Sequence, residues 1–136
     1  MKRTIIALLA LVALIAVGVP AIAHHSFSAE FDNTKRIELK GFVTKVEWTN
    51  PHVWFYINVI DAATGKGKIW GFEMGPPHGL QGQGWTRETM KIGDEVIVNG
   101  SRAKDGSNRA NASTVVLAKT GRRMGAASSE NQADQQ

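Results

Sequence analysis

His52-Val53-Trp54-Phe55-Tyr56-Ile57-Asn58-Val59-Ile60 alternates without interruption, with Val53, Phe55, Ile57 and Val59 on one side and His52, Trp54, Tyr56 and Asn58 on the other. A two-residue period is that of a β-strand lying on a core. The wholly apolar set is the core face, so the mixed set of polar and aromatic side chains faces outward. Downstream, Asp61-Ala62-Ala63-Thr64-Gly65-Lys66-Gly67 supplies a turn, and Lys68 to Met74 forms the next strand around Ile69, Trp70 and Phe72.

Upstream, the stretch from Arg36 to Trp48 reads as a longer strand whose parity changes. Ile37 and Leu39 share one side, whereas Phe42, Val46 and Trp48 share the other. A bulge at Gly41 would bring both halves onto one core. Beyond the third strand, Pro76, Pro77, Gly79, Gly82 and Gly84 mark an irregular segment. It leads to Trp85-Thr86-Arg87-Glu88-Thr89-Met90-Lys91, where Thr86 is expected to cap one or two helical turns that Gly93 ends. Glu95 to Ala103 and Ala112 to Ala118 complete the pattern, separated by Lys104-Asp105-Gly106-Ser107.

Three strands, a short helix and two more strands fit an all-β, five-stranded barrel resembling the oligonucleotide/oligosaccharide-binding (OB) fold, with the helix between strands 3 and 4. A β-sandwich is the alternative, because pattern alone does not show closure. The barrel is expected over residues 36–119, after an N-terminal arm at 24–35. The polar stretch 120–136, ending Ser-Ser-Glu-Asn-Gln-Ala-Asp-Gln-Gln, reads as a disordered tail.

The first 23 residues have a different logic. Lys2 and Arg3 precede an apolar run from Ile5 to Val19, and Ala21 and Ala23 form an A-x-A-like cleavage signal. Residues 1–23 are therefore expected to be a cleavable signal peptide, which makes the protein exported and His24 its mature N-terminus. The uncharged run from Thr4 to Ala23 is long enough for an uncleaved anchor as the alternative. No cysteine stands at the junction to accept lipid, so no stable membrane anchor is expected after cleavage.

Cleavage also changes the charge. The whole chain has 16 basic and 12 acidic residues; losing Lys2 and Arg3 leaves 14 against 12, a net +2. So small a charge argues against nucleic acid as a partner. With no cysteine anywhere, stability rests on apolar packing, and any metal must be held by His, carboxylates or the terminal amine.

Several motifs carry a resemblance: His24-His25-Ser26-Phe27 with Glu30-Phe31-Asp32, then Leu39-Lys40-Gly41-Phe42-Val43 through Val46-Glu47-Trp48-Thr49-Asn50-Pro51-His52. Gly84-Trp85, Lys91-Ile92-Gly93-Asp94 and Ala103-Lys104-Asp105-Gly106-Ser107 extend it. Over residues 24–118 the chain resembles an uncharacterised family of small exported bacterial proteins, a domain of unknown function. The resemblance implies a barrel-like β domain in the periplasm of a Gram-negative bacterium and brings no established activity.

Function must therefore be read from chemistry. The four histidines are His24, His25, His52 and His78. At a mature N-terminus, the α-amine and ring of His24 close a six-membered chelate, and His25 or His52 can complete a nitrogen-rich set. That arrangement resembles the histidine brace of copper proteins, and such ligands suit Cu(II). The alternative is a merely polar start to the chain, with His52 a loop or edge-strand residue after Asn50-Pro51. His78, between Pro77 and Gly79, reads as an exposed loop residue.

A second class of ligand suits the aromatics. Trp54 and Tyr56 on the outward face, extended by Trp48, Trp70 and Trp85, offer a stacking surface for a sugar, an extended polymer or an envelope protein partner. Their alternative role is packing. Ser26, Ser28, Glu30 and Asp32 show no nucleophile or triad signature, so an enzyme is the less favoured class. The sequence thus points to a periplasmic ligand-binding domain, with copper as its first-ranked ligand and carriage or buffering ranked above oxidation. Mass spectrometry of protein recovered from its native envelope is expected to show a chain starting at His24; retention of residues 1–23 would leave His24 without a free α-amine to chelate a metal.

Overall fold

The alternation in residues 52–60 produces one strand of the barrel wall, between its first and third strands. The computed structural model describes residues 27–127; the predicted signal peptide, His24 and His25 lie outside them. A short helix, α1 (Phe27–Glu30), leads into β1 (Phe31–Glu47), followed by β2 (Trp54–Ile60) and β3 (Gly67–Glu73). Helix α2 (Pro77–Gly82) separates these from β4 (Glu95–Ala103), β5 (Arg109–Leu117) and β6 (Arg122–Gly125).

The sheet runs β3-β2-β1-β4-β5-β6, and β3 also pairs with β5. That additional pairing closes a ring of five strands. It is parallel and short, matching Gly71 with Arg109, Phe72 with Ala110 and Glu73 with Asn111, whereas every other pairing is antiparallel. The mostly antiparallel closed ring, with its helix between β3 and β4, has the OB-like architecture the pattern implied, and closure decides against a sandwich.

Val53, Phe55 and Ile57 are fully buried, with Val59 packed at the margin of the same core. Phe72 stacks on Phe55 at 5.3 Å between ring centroids, and Val96, Val98, Ala110, Ala112 and Val115 fill the opposite wall. Leu80 of α2, Trp85 and Met90 are buried against one end of this core.

The bulge in β1 lies elsewhere than expected. Ile37, Leu39, Gly41 and Val43 all share one parity, and the register against β2 shifts between Val43 and Lys45. Thr44 is the extra residue that turns Val46 and Trp48 toward the core. Phe42, expected inside, is 47% exposed. Gly41 serves a different need: a Cβ there would lie 2.5 Å from the Asn58 carbonyl oxygen, so any larger residue would push β2 off β1.

The helix is also displaced. Residues 86–90 form turns, because the hydroxyls of Thr86 and Thr89 bond local backbone: Thr86 N–H donates to Thr89 Oγ1 at 2.8 Å and Glu88 N–H to Thr86 Oγ1 at 3.2 Å. α2 begins instead at Pro77, whose fixed φ suits a first helical position.

The ordered chain extends past both expected limits. β1 starts at Phe31, and β6 lies where a disordered tail was read, with Met124, Ala126 and Ala127 buried. The Trp85 indole donates to the Gly125 carbonyl at 2.6 Å, tying β6 to the connection beneath the barrel. Because Phe55 is fully buried and stacked, Phe55→Ala is expected to lower unfolding free energy by about 3–5 kcal/mol in denaturant titration; a near-neutral result would contradict its place in the core.

Candidate functional site

The outward positions of β2 carry the side chains singled out in the sequence, and β1 and β3 flank them. Trp54 stands between Glu47 and Glu73, and Tyr56 between Lys45 and Gly71. Neither ring is free. Trp54 packs against the small cluster of Phe27, Phe31 and Ala103, and the Arg109 guanidinium lies 5.5 Å from its centroid. The Tyr56 hydroxyl donates to Glu47 Oε2 at 3.1 Å, and Lys45 Nζ sits 5.4 Å from its ring.

The charges around Tyr56 are set by these contacts. The Lys45 and Tyr56 hydrogen bonds hold the Glu47 carboxyl below the usual carboxylate range. Lys45 is raised by its bond to Glu47, whereas burial, helped by Glu47, pushes the Tyr56 phenol up. Trp48 packs against the main core, as does Trp70, and Trp85 is 1% exposed. The expected stacking surface is therefore divided: Trp54 and Tyr56 share a face, while Trp48, Trp70 and Trp85 are drawn into packing.

His52 is one outward step before Trp54 on the same chain. Backbone bonds from Val53 N–H to the Gly75 carbonyl (3.1 Å) and from Met74 N–H to the Val53 carbonyl (2.8 Å) hold this segment beside the end of β3. There, His52 Nδ1 meets Glu73 Oε1 at 2.9 Å, with the side chains 27% and 12% exposed. A proton on Nδ1 satisfies the carboxylate and leaves the Nε2 lone pair as the ring's other donor. Glu73 was not among the residues singled out in the sequence; its only signal was a carboxylate after the apolar run 69–72. His78 is exposed on α2.

The arm before β1 is clamped beside this face. Phe27 stacks on Phe31 at 5.6 Å, Lys104 N–H donates to the Glu30 carbonyl at 2.9 Å, and Lys104 Nζ donates to the Ser28 carbonyl. Arg109 pairs with Glu30 at 3.4 Å while lying over Trp54. A cleft of about 310 Å³ opens here, lined by Ala29, Glu30, Ala103, Lys104, Asp105 and Arg109. The sequence reading saw no catalytic signature around Glu30 and missed both basic partners, Lys104 and Arg109, which arrive from the β4–β5 hairpin.

Among the described residues, no group of three or more His, Cys, Asp or Glu is placed to hold a metal. Of the expected metal ligands, His52 is on this face, and His24 and His25 fall outside the described residues.

These features define a small OB-like domain whose β2 face is adjoined by an anchored N-terminal arm. The chain belongs to a family of unknown function, DUF6152, whose profile matches residues 11–112. No curated protein matches it. A solved structure to which the chain is similar is the mitochondrial single-stranded DNA binding protein Rim1 from S. cerevisiae. It is 11% identical, at a TM-score of 0.49, over 65% of this chain and 94% of that one. The expected exclusion of nucleic acid as a partner is withdrawn, because a protein whose name records single-stranded DNA binding is among the structures similar to this chain. At this identity the likeness concerns the fold and assigns no ligand here.

If Trp54 is the seat of the arm, Trp54→Ala should free α1 while leaving the barrel intact. Hydrogen exchange is then expected to accelerate at Lys104 N–H, which bonds Glu30, and to stay slow at Ile57; equal protection at both sites would show that the arm holds without Trp54.

Proposed function

We propose that the mature protein is a periplasmic copper-binding domain, in which the α-amine and ring of His24 chelate Cu(II) and His52, with or without His25, completes the ligand set. The observation that carries this reading is the His52–Glu73 pair. A carboxylate bound to Nδ1 orients an imidazole and presents Nε2 for coordination, which is the usual second-layer support of a metal-binding histidine.

The placement of the arm adds support. Phe27 is seated on Trp54, and His24 precedes it by only three residues, a span of at most about 10 Å. His52 lies two extended residues, about 7 Å, from Trp54. Phe27, the start of the described arm, and His52 are thus both near Trp54 at one end of the β2 face. Nitrogen ligands favour Cu(II) among first-row divalent ions, and the all-nitrogen, thiol-free donor set suits it better than Cu(I). Carriage or buffering is the favoured role. The half-buried state of Trp54 and Tyr56, each already engaged by neighbours, ranks a sugar- or polymer-binding face second.

A free amine must lose its proton to bind, and its ordinary pKa is about 7.7–8.0. Affinity should therefore fall as pH is lowered through 7, where protons compete with the metal. The decisive comparison is Cu(II) titration, by calorimetry and visible absorption, of untagged protein starting at His24 and of the same protein extended by Ala23. The extension keeps all four imidazoles and moves the amine away. Affinity is expected to fall at least about tenfold in the extended protein, with a comparable loss in His24→Ala and smaller losses in His52→Ala and Glu73→Gln. Equal affinity in the extended and native-terminus proteins would overturn the reading.

A further inference from the structure

Away from the His52–Glu73 pair in the sequence, Arg36 lies on β1 at the point where the β1–β4 register shifts between Asp32 and Arg36. Its guanidinium spans two neighbouring strands: Nη1 donates to Ser101 Oγ and Nη2 to Ser113 Oγ, both at 3.0 Å. Each hydroxyl uses its own proton elsewhere. Ser101 donates to Asn33 Oδ1 at 3.1 Å, and Ser113 to the Asn99 carbonyl at 3.0 Å. Toward Arg36, both serines can therefore only accept.

Ser101 is fully buried, and Ser113 is the extra residue at the β4–β5 register shift, between the pairs Asn99–Thr114 and Gly100–Ala112. The fork is thus positioned by two rigid, neutral oxygens. Lys35, Lys40, Lys45 and Arg109 each meet a carboxylate. Among the described residues, none pairs with Arg36, and this includes Glu38, two positions along β1. Among the described residues, two of its five N–H groups are committed and three remain. The Asn33 amide, whose oxygen is taken by Ser101, keeps its N–H groups, and Thr114 beside Ser113 has a buried hydroxyl without a partner.

We infer that Arg36 and its serine cradle form a carboxylate-binding site, with the planar fork receiving both carboxylate oxygens side by side. A permanently charged, pre-oriented guanidinium without a counter-charge among the described residues is suited to that geometry. Two sources can supply the group. One is a free carboxylate in the surroundings. The other is the chain itself, which carries Glu130 and Asp134 and passes beside the cradle, where Ala126 N–H donates to the Ser113 carbonyl at 2.9 Å. The site shares no residue with the copper reading and does not depend on it.

The test is a nitrogen–proton NMR titration of the protein starting at His24, following Arg36 Nε–Hε and the amides of Ser101 and Ser113. Acetate and succinate are added at constant ionic strength, with chloride as the control. Saturable shifts at concentrations on the order of millimolar are expected for the carboxylates and not for chloride. They should vanish in R36Q and weaken about tenfold in R36K, which keeps the charge and loses the fork; R36K also keeps the test readable if R36Q fails to fold. An E130Q/D134N variant separates the sources. A displaced Arg36 signal before any addition identifies the chain's own carboxylates, and an unchanged signal with normal titration identifies a free one. If Arg36 responds to neither added carboxylate nor E130Q/D134N, or if R36Q titrates like the parent, the inference falls and Arg36 is a strut joining three strands.

Discussion

β1 belongs to two walls of the barrel at once, and the close approach of its Gly41 to the Asn58 carbonyl is the contact on which that sharing depends. Its first part pairs with β4 and its last with β2, and Phe42 is matched on both sides, with Asn58 and with Glu95. Only a residue without Cβ lets β2 come this near. Once the crossover is made, Thr44 absorbs the change of parity, so that Val43 before it and Val46 after it both turn inward. The short parallel pairing of β3 with β5 can then close the ring.

Closure has consequences for the surface. It sends the apolar half of β2 wholly inside and leaves the outward half as a strip flanked by charged residues from β1 and the β4–β5 hairpin. The arm uses that strip as its seat. Trp54 is half-buried because Phe27 and Phe31 cover one part of it and Arg109 another. Such a ring is a packing element first, and the chemistry accessible at this end passes to His52, whose carboxylate partner comes from the neighbouring strand. Polar residues divide similarly where the irregular registers of β1–β4 and β4–β5 place Arg36 over two serines. Bulges re-aim side chains, and here two of them meet under one guanidinium.

Much of the fold was legible because short-range patterning carries it. Strict alternation from Val53 to Val59 identified the core face, the bounds Glu95–Ala103 coincided with β4, and the strand–helix–strand order implied an OB-like ring. β6 was not legible. Arg122-Arg123-Met124-Gly125 has one apolar residue and no alternation, and its pairing depends on Met124 meeting Val115 and on the Trp85–Gly125 bond. Thr86 and Thr89 misled for a local reason: the hydroxyls that cap helices also close turns.

By itself, the sequence determined which faces of the strands are apolar, that no disulfide contributes, and which few residues have metal-binding chemistry, because these follow from residue type and period alone. Tertiary structure decided what those residues meet. His52 acquired Glu73, Trp54 acquired Phe27 and Arg109, and Arg36 acquired Ser101 and Ser113 across gaps of 65 and 77 positions. Contacts between residues so distant in the chain depend on register and closure, which sum weak preferences over the whole ring and leave no mark in any local stretch.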